Sequence, residues 1–201
     1  MQTPLAWLNT TTSLSKLGLG ASGIGFATIL MFMQIGFLNG LFDSAVQVLR
    51  LLDADLILIS PARYTVPSEQ RFDHALLDRL RSHPTVANIQ PLYIDRALSE
   101  IRVMGHVSRS IRAIGVPPSA NVFVSEEMNA KCQQLIAVND VLVDRRSKEK
   151  YGFEKKDLNK LQSQIAELSG KQVRLRDWVD VGTDFVYDGT IILTDRGVEH
   201  F

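Results

Sequence analysis

The order of apolar and polar positions divides the chain into two unlike parts. Between Leu17 and Phe42 there is no charged residue; Lys16 closes one end and Asp43 the other. At 1.5 Å per residue these about 26 residues make roughly 39 Å of helix. The hydrocarbon core of a bilayer is about 30 Å thick, so the stretch crosses it with room for tilt. The most apolar part runs from Ile24 to Phe37, with Thr28 and Gln34 as its polar interruptions. The pattern predicts an interfacial segment over 1–16, where Trp7 suits the headgroup level, a transmembrane helix over 17–42, and a water-exposed domain over 43–201. A cleaved signal peptide has a shorter apolar run and a small-residue cleavage site. Here the run continues through Gly36, Phe37, Leu38 and Leu41 instead. Lys16 and the N-terminal amine precede the span, and Arg50 follows it beside Asp43, Asp53 and Asp55. The positive-inside rule then leans toward a cytoplasmic N-terminus.

Beyond the span the periodicity changes. Ala45, Val48, Leu49 and Leu52 keep a helical spacing, so Asp43 to Leu52 reads as an outward continuation of the helix. Asp55 to Ser60 reads as a buried strand stopped by Pro61. Ser68 to Ser82 predicts an amphipathic helix, with Phe72, Leu76, Leu77 and Leu80 on one side. Strands are predicted over 86–96 (interrupted at Pro91), 100–104, 110–116, 140–144, 173–180, 185–187 and 190–194. Met128 to Leu135 has helical character, and Asp157 to Ser169 reads as a helix capped by Gly170. Strands and helices mix without βαβ alternation, which predicts an α+β fold.

Composition narrows the function. Lys and Arg number 22 against 22 Asp and Glu, so the basic excess of a nucleic-acid binder is missing. Cys132 is the only cysteine. That excludes an internal disulfide and a thiolate metal cluster, and the residue reads as a small buried hydrophobe. His74 and His83 fall on opposite sides of one predicted helix and cannot share a metal from it. His74 and Asp78 share a face and read as a surface pair; His106 and His200 complete the histidines. With no G-x-S-x-G elbow and no P-loop, the expectation is no enzyme, no catalytic or metal-binding set and no cofactor. Gly18, Gly20 and Gly23 spell G-x-G-x-x-G, but no strand precedes them, so the dinucleotide reading fails. Asn9-Thr10-Thr11 is a glycosylation sequon by spelling and is read as accidental. Gly36 and Gly40 form a G-x-x-x-G pair, which predicts a helix-packing face.

The residues Phe26-Ala27-Thr28-Ile29-Leu30-Met31-Phe32-Met33-Gln34-Ile35-Gly36-Phe37, running on to Leu41-Phe42-Asp43-Ser44-Ala45, resemble the first span of DevC-type permeases. These belong to the MacB/FtsX-like branch of ABC exporters. Thr3 to Leu8, Leu56 to Pro61, Pro91 to Tyr93, Val141 to Arg145, Tyr151-Gly152 and Ile191 to Asp195 follow the same family order. The resemblance implies a first span followed by a periplasmic domain of MacB-like type, in the inner membrane of a bacterium such as a cyanobacterium. It implies an ABC ATPase subunit and a periplasmic membrane-fusion adaptor as partners, export of an envelope lipid or similar substrate, and a homodimer as one assembly. The family's three further spans would follow Phe201, so the expectation is a permease fragment or a natural truncation. The alternative is a single-pass anchored interaction module without transport activity, or a decayed permease relic.

Overall fold

The computed structural model describes residues 13–59, 74–95, 99–184 and 187–201. The chain forms two compact units, Met1–Asp43 and Ser44–Phe201. Helix α1, Leu14–Arg50, is 37 residues long, begins in the first unit and ends in the second. It extends past both ends of the uncharged stretch, so the expected continuation through Ala45 and Val48 is present. Trp7, the sequon at Asn9 and the stretch Thr3 to Leu8 lie outside the described residues.

The second unit is α+β. Its strands are β1 (Tyr93–Asp95), β2 (Glu100–Val103), β3 (Arg109–Ser110), β4 (Arg112–Val116), β5 (Asp140–Asp144), β6 (Ala166–Leu168), β7 (Lys171–Val179) and β8 (Thr190–Thr194). They form one curled mixed sheet in the order β1-β4-β8-β5-β7-β6-β2-β3. β4 and β8 are parallel, as are β5 and β7; the other pairs are antiparallel. The long strand β7 joins the two halves of the sheet. Its first residues, Lys171 to Val173, pair with β6, and Arg174 to Val179 pair with β5 around a register shift at Val141/Leu142.

Three central strands are buried along their whole length. This is why D-V-L-V-D and T-I-I-L-T read as continuous apolar runs: both faces are covered. Alternate residues feed two cores. Ala113, Val141, Val143, Ile191 and Leu193 join Tyr151, Leu161, Leu168 and Trp178 on one face. Ile114, Val116, Leu142 and Ile192 join Val48, Phe123, Met128, Cys132 and Leu135 on the other.

Four short α-helices, α2 (His74–Arg81), α3 (Glu126–Gln133), α4 (Leu158–Ser163) and α5 (Asp195–His200), and a 3-10 turn at Glu149–Tyr151 complete the described residues. Three start on a side-chain cap. Ser125 accepts from the Met128 N–H, Asp157 from the Asn159 and Lys160 N–H groups, and Thr194 from the Gly197 N–H. Each cap satisfies donors that the first turn leaves without a partner.

Four expectations are corrected. The helix expected over Asp157 to Ser169 stops at Ser163, and its second half is β6. Ser169 and Gly170 have φ of 49° and 81°. They form a two-residue turn with both centres left-handed, which sends the chain back as β7. Gly170 is thus a hairpin residue and not a helix cap. Leu56 to Ile59 are not a buried strand; Leu56 is 91% exposed and the next three are about half exposed. The chain has already made its sheet-like contact just before them, where Leu52 bridges Phe123. The strand expected over 86–96 is confined to Tyr93–Asp95. The C-terminal segment adds α5, which the strand pattern did not foresee. Ser60, Pro61, Ser68 to Asp73 (with Phe72), Arg96, Phe185 and Val186 lie outside the described residues.

Candidate functional site

α1 is long and apolar enough to cross a membrane, and none of its most apolar window is buried within the molecule. Phe26, Ile29, Phe32, Met33, Ile35 and Phe37 are all at least half exposed. Successive residues advance about 100°, so these side chains, together with Met31 and the more than one-third exposed Leu30, Leu38 and Leu41, point to every side of the helix. A helix apolar all round needs an apolar surrounding on every side. Two hydroxyls within its apolar stretch turn inward to the backbone: Ser22 donates to the Leu19 carbonyl and Thr28 to the Ile24 carbonyl, both at 2.9 Å. Gly36 and Gly40, the expected packing pair, lie on open helix surface, with no atom within 4 Å of where a Cβ would stand.

The last turns of α1 are part of the second unit and are built into its core. Val48 is 3% exposed and packs with Phe123, Met128 and Val181. The chain then runs beside residues 122–124. The Asp53 N–H donates to the Val122 carbonyl and the Val124 N–H to the Leu51 carbonyl, both at 2.9 Å. Asn129 on α3 holds that segment in place, because its carboxamide both accepts from the Phe123 N–H and donates to the Phe123 carbonyl.

Gln47 reaches a second anchor, the turn after β7. Its amide donates to the Val181 carbonyl at 3.0 Å. Every main-chain polar group of Val181 and Gly182 is engaged. Asp144, at the end of β5, accepts from both N–H groups at 3.1 Å and from the Arg146 N–H as well. Arg112, at the start of β4, donates to the Gly182 carbonyl at 3.0 Å, to the Thr190 hydroxyl and to the Asp184 carboxylate. Arg112 and Asp144 have no exposed surface. Burial pushes the Asp144 carboxyl above its ordinary range despite its three N–H donors. The node therefore joins β4, β5, β7, β8 and the end of α1 through one two-residue turn.

This chemistry positions main chain; it does not present a reacting group. Among the described residues no three His, Cys, Asp or Glu side chains group to hold a metal. His83 lies beyond the end of α2 and shares a 2.8 Å hydrogen bond with Thr85, and the His106 ring packs over Gly152. The His74 side chain lies outside the described set. Cys132 is 1% exposed, and burial pushes its thiol up to about 12, the behaviour of a packing residue. Lys148 and Lys150 both pair with Asp188, and Arg145 lies over the Trp178 ring, so much of the basic stretch after β5 is locally compensated.

No protein-family model and no curated protein matches this chain. Sequence reasoning picked out the long apolar helix and named Gly36 and Gly40 as its packing pair, and it missed Gln47, Arg112, Asp144 and Asp184. Their only local signal was Asp144 at the end of an apolar strand, which reads equally as a solvated strand end.

Proposed function

We propose that this chain is a membrane-anchored permease subunit of a DevC-type ABC export system. In this reading α1 is the first span, the N-terminus is cytoplasmic, and Ser44–Phe201 is a periplasmic domain of MacB-like type in the inner membrane. The observation that carries the membrane part is the helix itself, apolar on every side and wholly exposed over its most apolar window. Its six glycines would weaken a helix in water by roughly 1 kcal/mol each relative to alanine. In lipid the backbone has no water to bond with instead, so they are tolerated. The transport part rests on the ordered sequence resemblance from Phe26 to Ala45 and onward.

The subunit does no chemistry of its own. An ABC ATPase supplies the motion, a periplasmic membrane-fusion adaptor receives it, and an envelope lipid or similar substrate is exported. Gln47 and Val48 are where a displacement of α1 would enter the sheet, because both are held by the domain core. The Gly36 and Gly40 face receives the other spans of the permease. The test is co-purification from native membranes in mild detergent. The expected result is that the neighbouring ATPase and adaptor elute with this chain. Elution with neither sinks the transport reading and leaves a single-pass interaction module, for which Leu56 to Ile59 would be an exposed apolar contact.

A further inference from the structure

One peptide unit of the buried node is held from both sides. Its carbonyl, that of Val181, accepts from the Gln47 amide at 3.0 Å. Its N–H, that of Gly182, donates to Asp144 Oδ2 at 3.1 Å. The other carboxylate oxygen, Oδ1, accepts from the Arg146 and Val181 N–H groups. Among the described residues, then, the partners of this carboxyl are all donors. A proton gained on Oδ2 finds no acceptor among them, and Asp144 has no exposed surface where water could supply one. Leaving a buried O–H without an acceptor is costly.

Rotation of this one peptide removes that cost. Turning it by about 180° changes ψ of Val181 and φ of Gly182 and leaves the flanking Cα atoms nearly in place. The Val181 carbonyl then faces Asp144 and accepts its proton, and the Gly182 N–H faces Gln47. A carboxamide both donates and accepts, and its terminal torsion is roughly two-fold, so Gln47 receives that N–H on Oε1. Residue 182 takes φ +92° in one state and about −90° in the other, and glycine adopts both. The rest of the node is left intact. Arg112 holds the Gly182 carbonyl, which belongs to the next peptide, and Oδ1 keeps its two N–H donors. Burial first, and then the Asp180 carboxylate, oppose ionisation of Asp144. Asp180 lies 3.9 Å from the Arg146 guanidinium, Arg112 is committed to Asp184, and α1 contributes the uncharged Gln47.

We infer that the Val181–Gly182 peptide is a proton-driven switch: when Asp144 takes a proton the peptide flips, and Gln47 changes from donor to acceptor. One proton thereby resets how the end of α1 is held to the sheet. The switch lies wholly within Ser44–Phe201 and does not depend on whether α1 crosses a membrane.

Val181 is the one valine followed by a glycine in the sequence. The full chain in detergent micelles, labelled with carbonyl-13C valine and 15N glycine, therefore gives one NMR correlation peak for this peptide. At neutral pH the Gly182 N–H is expected to show proton contacts to the Asp144 methylene. As pH falls from about 7 to about 3, a second peak is expected to replace the first, with contacts from the N–H to the Gln47 side chain. Asp144→Asn puts a permanent donor beside the peptide and is expected to give the second peak already at neutral pH. A peak that keeps its Asp144 contacts while the Asp144 carboxyl itself titrates overturns the inference. So does Asp144→Asn with the neutral-pH orientation of the wild type. Where acid unfolds the wild type before Asp144 titrates, the Asp144→Asn chain at neutral pH decides alone.

Discussion

Gln47 donates its side-chain amide to the main-chain carbonyl of Val181, across 134 positions of sequence. Beneath that amide lies Gly182, with φ of +92°, where a Cβ would stand 1.9 Å from the Gln47 Nε2. Gly182→Ala is expected to cost about 2 kcal/mol. Roughly half comes from forcing a side chain into a left-handed conformation, and half from the lost hydrogen bond when Gln47 swings aside. Gln47→Ala alone is expected to cost about 1 kcal/mol. Urea unfolding of the detergent-solubilised chain measures both. The double variant should fall short of the sum by about 1 kcal/mol, since the hydrogen bond is lost only once. Strict additivity would show that Gln47 does not sense Gly182.

Arg112 pairs with Asp184 where neither can reach much water: the side chains are 0% and 7% exposed. Removing one member of such a pair leaves a buried charge without compensation. Arg112→Met is therefore expected to lower stability by about 3–5 kcal/mol. It also takes a donor from the Gly182 carbonyl and the Thr190 hydroxyl. Asp184→Leu added to Arg112→Met should recover part of the loss by removing the carboxylate that has lost its guanidinium, at the expense of the acceptor it offers the Tyr187 N–H. Thermal unfolding of the three variants decides the point, and a double variant no more stable than Arg112→Met would assign the whole cost to packing.

Asp140 and Asp144 bracket β5, both fully buried, and they respond to pH in opposite senses. Burial alone would raise Asp140, but Arg176, the Ala137 N–H and Arg174 outweigh it and hold the carboxyl below its ordinary 3.8. At Asp144 burial outweighs the N–H donors of Arg146, Gly182 and Val181, and the carboxyl lies above 3.8. A carboxyl lowered by folding contributes stability above its ordinary value and loses it as pH falls through the folded one. A carboxyl raised by folding contributes most below its ordinary value, and that contribution declines as pH rises through the folded one. Asp140→Asn should thus flatten the loss of stability on acidification below about pH 4, and Asp144→Asn should remove a decline just above it. Urea midpoints from about pH 3 to 7 supply both slopes. Unchanged slopes in both variants would mean that other groups set the pH dependence.

How far the fold was legible depended on distance along the chain. Val141 to Val143 and Ile191 to Leu193 announced themselves because a strand covered on both faces is apolar at every position. The long apolar helix announced itself by its missing charges. Arg112 gave no such sign. It sits among Arg109, Ser110 and Ala113, looks like any surface arginine, and meets Asp184 only 72 positions later. Gln47 likewise reads as the polar side of a helix until Val181 arrives above it. Leu56 to Ile59 failed in the other direction: four apolar residues read as core, and the chain leaves them exposed because Leu52 has already taken the place beside Phe123. The helical spacing of Leu158, Leu161, Ile165 and Leu168 was real as a count. The turn chemistry of Ser169 and Gly170 overrode it, since a hairpin with β7 buries Ala166 and Leu168 in the same core.

That hairpin yields the sharpest test of the override. A two-residue turn with both centres left-handed favours Asn-Gly above other pairs, because Asn tolerates the conformation better than Ser. Ser169, at φ 49°, is the one non-glycine residue recorded with positive φ among the described residues. Ser169→Asn is expected to raise stability by about 0.5 kcal/mol. Gly170→Ala, at φ 81° with open space around its Cβ position, is expected to lower it by about 1 kcal/mol through backbone strain alone. Urea unfolding gives the size, and circular dichroism separates the two accounts of residues 164–169. If Gly170→Ala raised helical signal and stability together, the segment would have gained the helix its spacing spells, and the turn would not be what decides this part of the fold.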